Sequence, residues 1–266
     1  MLAGSVNLMP EAPVTRLVDL ARHAEALGFE RCWVYDEGLA ARDVYVTLTA
    51  IALATERVRV GPGITNPHSR HPGTTAAAVA TLDELSGGRA FLGLGAGGSL
   101  TLDPLGVDRS KPLTAVREMV TGLRRLYAGE IVDLDGQRVR FAGARLGYAR
   151  PDIEIWLAGR GPRMMTLAGE LADGFNLSFV HKDTLGELTS AIRAAADGRP
   201  RPPRLSYSTM MVTTDAAFEH ARRNMTFRLL DSPAAVAERI GLSEADREAL
   251  RAAIGQGGPS AAAPLV

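Results

Sequence analysis

Asp36 and Glu37 stand side by side where an apolar run, residues 31–35, ends. A carboxyl at a strand exit that is shielded from water has a raised pKa and can serve as a general acid. The same pair also suits a solvated acidic turn or an ion pair with Arg42. A second chemical feature follows the next β-branched run. The sequence VGPGITNP, residues 60–67, breaks at Gly61-Pro62-Gly63, resumes with Ile64, Thr65 and Asn66, and stops at Pro67. Glycine inside a strand pattern marks a bulge or a close backbone approach, and proline has no N–H for a sheet ladder. The backbone either bends here to meet something flat and bulky or simply leaves its strand.

Two further glycine clusters follow later strand-like runs. GLGAGG covers residues 93–98, and AGRGP covers residues 158–162 at the start of a helical pattern. Backbone N–H groups at a helix start favour anions, so Arg160 between Gly159 and Gly161 is a candidate for a phosphate or an acid. A solvated surface arginine is the other reading. Asn176 and Ser178 end one more strand-like run. The five histidines, His23, His68, His71, His181 and His220, include no i, i+4 pair, and no carboxylate cluster completes a metal site. No GxSxG elbow supports a Ser-His-Asp triad. Cys32 is the single cysteine and lies in an apolar run, which excludes an internal disulfide and suits an inert buried thiol.

These groups need elements to hold them, and the hydrophobic pattern alternates strand and helix almost without interruption. Strands are expected at 5–9, 31–35, 57–63, 90–94, 153–157, 174–179 and 205–212. Helices are expected at 13–27, 43–55, 72–85, 111–127, 163–171, 184–196 and 216–230. Leu17, Leu20, Ala21, Ala24 and Leu27 form the stripe of the first helix. A small hairpin at 131–141 places Asp135-Gly136 at its turn. Repeated βα units imply parallel strands with helices outside, in an open doubly wound sheet or a (β/α)8 barrel. The barrel is favoured because the candidate groups follow several successive strands and would converge on its C-terminal face. Only seven strands are readable. Two helical segments follow, 233–240 and 243–254, and the last residues, GQGGPSAAAPLV, have no strand character. The expectation is a single domain over 1–266: an α/β, TIM (β/α)8-type barrel lacking the eighth strand–helix unit at the C-terminus, with 255–266 a weakly ordered tail.

Lys+Arg and Asp+Glu both number 30, so the net charge is zero, and no basic run is long enough for nucleic acid or an anionic membrane. Hydrophobic residues make up 46%, enough for a substantial core, yet no run approaches the ~18 residues that span a bilayer. The N-terminus lacks the basic start and apolar centre of a signal peptide, so a cytoplasmic location is expected.

The phrases TLTAIALATERVRVGPGITNP, RHPGTTAAAVATLDELSGGRAFLGLGAGG and AGRGPRMMTLAGELADGFN resemble the luciferase-like monooxygenase superfamily. Within it, the chain is most similar to the branch that uses the deazaflavin coenzyme F420 and includes methylenetetrahydromethanopterin reductase. The resemblance implies a non-prolyl cis peptide at Gly63–Ile64, in a bulge that backs the cofactor ring. It implies that Ile64 presses on the ring, that Thr65 and Asn66 offer hydrogen bonds to its edge, and that Asp36 binds it. Glu37 would handle a proton near the substrate, making Asp36 and Glu37 the catalytic candidates. Gly95, Ala96, Gly97 and Gly98 would approach the ribityl region. Gly159, Arg160, Gly161 and Asn176 complete the cofactor set. Asn7 matches a position where the methanopterin branch can carry a carboxylate, and an amide has no acid proton to give.

Three functions compete at this point. The first is hydride transfer between coenzyme F420 and a small organic substrate. The second is an FMN-dependent monooxygenase fed by a separate reductase. The third is a truncated, non-catalytic cofactor-binding relative. An incomplete ring leaves strand edges that either a second subunit, giving a homodimer, or the helices at 233–254 are expected to cover.

Overall fold

The computed structural model describes residues 3–230, 232 and 234–266. In chain order the elements are β1 (Ser5–Leu8), α1 (Val14–Ala26), β2 (Arg31–Val34), α2 (Val44–Ala54), β3 (Arg59–Pro62), α3 (Pro72–Leu85), β4 (Phe91–Leu94), α4 (Ser99–Leu102) and α5 (Pro112–Tyr127). The hairpin β5 (Val132–Asp135) and β6 (Arg140–Ala144) follows, then β7 (Glu154–Ala158), α6 (Pro162–Leu171), β8 (Gly174–Ser178), α7 (Leu185–Ala195), β9 (Arg204–Ser208), α8 (Asp215–Leu230), α9 (Ala234–Arg239) and α10 (Glu244–Ala262). Local chemistry starts the helices where the sequence predicts. The Asp43 carboxylate accepts from Tyr45 N and Val46 N at 2.9 and 3.0 Å to cap α2. His71 Nδ1 accepts from Gly73 N at 3.1 Å, with Pro72 as the first residue of α3.

The strands run parallel as β1-β2-β3 and β4-β7-β8-β9. Bridges at Val60–Ala90 and Thr65–Leu94 join the two sets between β3 and β4. The seven parallel strands therefore follow one another round a barrel, and the antiparallel hairpin stands outside it. Among the described residues no further strand pairs between β9 and β1. That seam is crossed by a side-chain hydrogen bond from Asn7 Nδ2 to Ser208 Oγ at 2.6 Å.

Alternation along the strands separates two cores. Cys32, Val34, Val60, Leu92, Leu94, Ile155, Leu157, Phe175 and Leu177 face the helices in the large outer core. Burial there pushes the Cys32 thiol pKa up to about 12, so the thiol is inert. Trp33, Phe91 and Trp156 form a separate inner cluster. The Trp33 ring meets Phe91 and Trp156 edge-on, with centroids 4.4 and 5.5 Å apart. Inward-facing glycines make room for these rings. A methyl group at Gly61 would overlap Phe91 O and the Phe91 ring, one at Gly174 would overlap the Trp156 ring, and one at Gly63 would lie 2.6 Å from Trp33 Cβ. One step toward the N-terminal end, Glu154 gathers Arg31, Arg59 and Arg204 at 3.1, 2.6 and 2.7 Å and accepts from Trp156 Nε1 at 2.9 Å.

Several expectations are corrected. The segment 255–266 is not a loose tail: α10 continues to Ala262, with non-helical backbone at Gly257 and Gly258, and a 3₁₀ turn covers Ala263–Leu265. Composition misleads here because the glycines break the helix only locally, while Ala262 and Ala263 are buried. The hairpin loop is longer than an Asp-Gly turn, because Asp135 pairs with Arg140 and Glu118 accepts from the N–H groups of Gln137, Arg138 and Val139. Leu20 and Leu27 are exposed, which narrows the buried face of α1 to Leu17, Ala21 and Ala24. Pro233, the expected start of a helix, lies outside the described residues.

The glycine packing yields a direct test. Gly61→Ala forces a methyl into Phe91 and should cost about 1–3 kcal/mol in chemical denaturation. Gly186→Ala, in α7 with nothing within 4 Å of the added carbon, should be neutral or stabilising. Equal effects at the two sites would refute the packing argument.

Candidate functional site

At the C-terminal ends of the barrel strands lies a cavity of about 790 Å³. Its floor and one wall come from the exits of β2, β3, β7 and β8. The Gly63–Ile64 peptide is cis, as the resemblance implies. Gly63, Ile64, Thr65 and Asn66 all line the cavity, as do Asp36 and Glu37.

The two carboxyls are not a solvated turn. Asp36 Oδ2 accepts from Thr65 Oγ1 at 2.6 Å, which ties the strand-two exit to the β3 bulge. Burial pushes the Asp36 carboxyl above its usual pKa range, and the Thr65 hydroxyl and the Arg70 charge pull it back. Glu37 Oε2 accepts from Thr101 Oγ1 of α4 at 2.9 Å. Its carboxyl is also pushed up by burial, against the Thr101 bond and the Arg228 charge, with the Asp36 charge adding to the rise. Arg42 is not their partner: it donates to the backbone carbonyls of Pro10 and Glu11.

The remaining expected residues divide. Ala96, Gly97, Gly98, Gly159, Arg160, Gly161 and Asn176 line the cavity. Asn176 Oδ1 is buried there without a hydrogen-bond partner. Gly95 does not line it. Its missing side chain makes room for Ile64, whose Cδ1 would overlap an added methyl, so Gly95 seats the bulge rather than approaching a ligand. Asn66 Oδ1 accepts from His68 N and Ser69 N at 2.9 Å each, so that oxygen shapes the loop. Arg160 is not a solvated surface arginine: its Nη1 donates to Arg228 O at 2.7 Å and Ser232 Oγ at 3.1 Å.

Sequence reasoning missed one whole wall. His220, Arg223, Asn224, Phe227 and Arg228 of α8 line the cavity, spaced as one helical face. Phe179 joins them, with a left-handed φ of 54°. The Arg228 guanidinium stacks 3.6 Å above the Phe179 ring and hydrogen-bonds Tyr35. The signal existed in the i, i+3, i+4, i+7, i+8 spacing, but in polar residues that an apolar pattern search passes over. Among the described residues no group of three or more His, Cys, Asp or Glu could hold a metal ion.

The luciferase-like monooxygenase family model matches residues 2–263. The chain belongs to that family. It is 34% identical over 258 residues to the 5,10-methylenetetrahydromethanopterin reductase of Methanolobus tindarius, covering 95% of this chain and 79% of the relative. The reductase of the same name from Archaeoglobus fulgidus is 37% identical over 262 residues, with the same coverage. The coenzyme F420-dependent tetrahydromethanopterin reductase of Methanopyrus kandleri superposes with a TM-score of 0.86 at 30% identity, covering 100% of this chain and 83% of that one. An F420-dependent secondary alcohol dehydrogenase shares the fold at a TM-score of 0.75 and 19% identity. The barrel expectation and the F420-branch resemblance both hold.

Within this family member, the buried Glu37 carboxyl has a stability consequence. Below about pH 4.3 a glutamate is protonated in the unfolded chain and, its folded pKa being raised, in the fold as well. Above that value the unfolded chain ionises first. A penalty on folding therefore grows as pH rises and is complete above the folded pKa. Glu37→Gln removes the charge and keeps an oxygen for Thr101. Its thermal midpoint should match the wild type near pH 4 and exceed it at pH 8, and a lower midpoint at pH 8 would refute the assignment.

Proposed function

We propose that this chain is an oxidoreductase that moves a hydride between coenzyme F420 and a small organic substrate. What carries the reading is the meeting, in one cavity, of the Gly63–Asn66 bulge with two half-buried carboxyls whose pKa values are raised. The curated relatives named above, which this chain matches over most of its length, support the choice of cofactor over FMN. The deazaflavin, when bound, supplies a carbon that gives or takes hydride.

The residues present fit such a group. Gly63 and Ile64 offer a flat backbone surface. Thr65 holds Asp36 toward the same wall, and the orphaned Asn176 Oδ1 is a buried acceptor awaiting a donor. Ala96, Gly97 and Gly98, with Gly159 to Gly161, leave space for the extended part of the cofactor. Glu37, protonated more readily than an ordinary glutamate, is the group that gives a proton to the substrate or takes one from it. Asn7 cannot share that task, because it has no acid proton and its amide is committed to Ser208. A homodimer belongs to the same reading, with the exposed Val46 and Leu53 of α2 as apolar surface for a second copy to cover.

Fluorescence titration with F420 and, separately, with FMN tests the cofactor. F420 should bind more tightly, and a preference for FMN would move the chain to the monooxygenase reading. With F420 bound, Glu37→Gln should slow turnover about 10²–10⁴-fold while the cofactor Kd changes little. Asp36→Ala should instead weaken F420 binding. Full activity in Glu37→Gln would remove Glu37 from the mechanism.

A further inference from the structure

The α8 wall does not behave as a packing face. Helices outside a barrel normally bury an apolar stripe on the strands. In α8 the buried residues are Ala221 and Thr226, and the cavity-facing row is His220, Arg223, Asn224, Phe227 and Arg228. The helix packs on α10 and the turn at Ala263–Leu265 rather than on the strands, and polar clamps hold its end. Arg160 donates to Arg228 O, and Arg247 of α10 donates to Leu230 O and Ser232 O at 3.1 and 2.8 Å.

The cavity arginines differ in what they already bind. Arg109 donates to Gly97 O at 2.8 Å, and Arg160 is tied to the end of α8. Arg228 reaches Tyr35 and the Phe179 ring, but its buried Nε has no partner. The exposed Arg223 side chain makes no hydrogen bond or ion pair among the described residues. Of the facing acids, Asp36 is bonded to Thr65, while Glu37 is bonded to Thr101 and also feels the Arg228 charge; among the described residues neither pairs with Arg223. A guanidinium drawn from water is costly unless an anion meets it.

Building on the F420 reading, we propose that α8 is the substrate wall and that the substrate carries a carboxylate or phosphate, bound by Arg223 and Arg228 beside Glu37. The choice of substrate over cofactor follows from position. The groups that suit the deazaflavin sit on β2, β3 and β8 exits and the two glycine loops, whereas Arg228 faces the proton-handling acid across the cavity. Guanidinium groups lining one wall can meet the paired oxygens of such an anion.

Calorimetric titration of the F420-loaded protein with succinate and with inorganic phosphate tests this, with succinamide as the neutral control. The cofactor Kd is measured first for each variant, so failure of the F420 reading appears separately as absent F420 binding. The anions should bind and succinamide should not. Arg223→Gln, at an exposed residue whose loss leaves the fold intact, should weaken anion binding about tenfold or more, with F420 affinity unchanged. Arg228→Lys should weaken it too. Equal binding of succinamide, or no effect of Arg223→Gln, would overturn the proposal. So would a variant that loses F420 affinity but binds the deazaflavin riboside, which has no anionic tail, as the wild type does, because the arginines would then serve the cofactor.

Discussion

The edge-on contact of Trp33 with Phe91 and Trp156 sets the height at which chemistry can occur. Large rings fill the barrel only because Gly61 and Gly174 leave them space, and the packed layer they form closes the barrel from below. Beneath it, Glu154 binds three arginines and fixes the tilt of Trp156 through its indole N–H. Inward positions one strand repeat higher then face the cavity: Tyr35 above Trp33, Gly63 above Gly61, Ala158 above Trp156 and Asn176 above Gly174. A ligand resting on this layer meets the strand exits and nothing deeper.

The acids follow from that geometry. Glu37 lies one residue beyond Asp36 on the same exit, yet the two carboxyls face different partners. Asp36 is drawn to the β3 bulge by Thr65, and Glu37 to α4 by Thr101. Removal from water raises both pKa values against a nearby cation, Arg70 at Asp36 and Arg228 at Glu37, and only Glu37 also lies close to the Tyr35 hydroxyl.

Most of the barrel was legible because its strands and helices carry the periodicities that burial imposes. Asp36, Glu37 and the Gly63–Asn66 bend were legible because a functional strand exit departs from a plain packing pattern. Gly95 misled, since a glycine that makes room for Ile64 looks the same in sequence as one that makes room for a ligand. The α8 face was invisible for the opposite reason: its periodic residues are polar, and their inward direction follows from tertiary placement. The last residues misled through composition. Glycine and proline between 255 and 259 disfavour a helix locally, but the burial of Ala262 and Ala263 outweighs that preference.

The division of labour follows the division of forces. The barrel wall is held by apolar packing and backbone pairing, so its residues cannot change without disturbing the layer beneath. The α8 wall is held by its packing on α10 and by arginines on carbonyl oxygens at its end, contacts that do not depend on which side chains the helix turns toward the cavity. In the proposed assignment, the cofactor groups reside where the structure is least free to vary. The groups assigned to the substrate reside on an element whose position is fixed independently of its lining, an arrangement in which one barrel can keep its hydride chemistry while the wall opposite acquires a different selectivity.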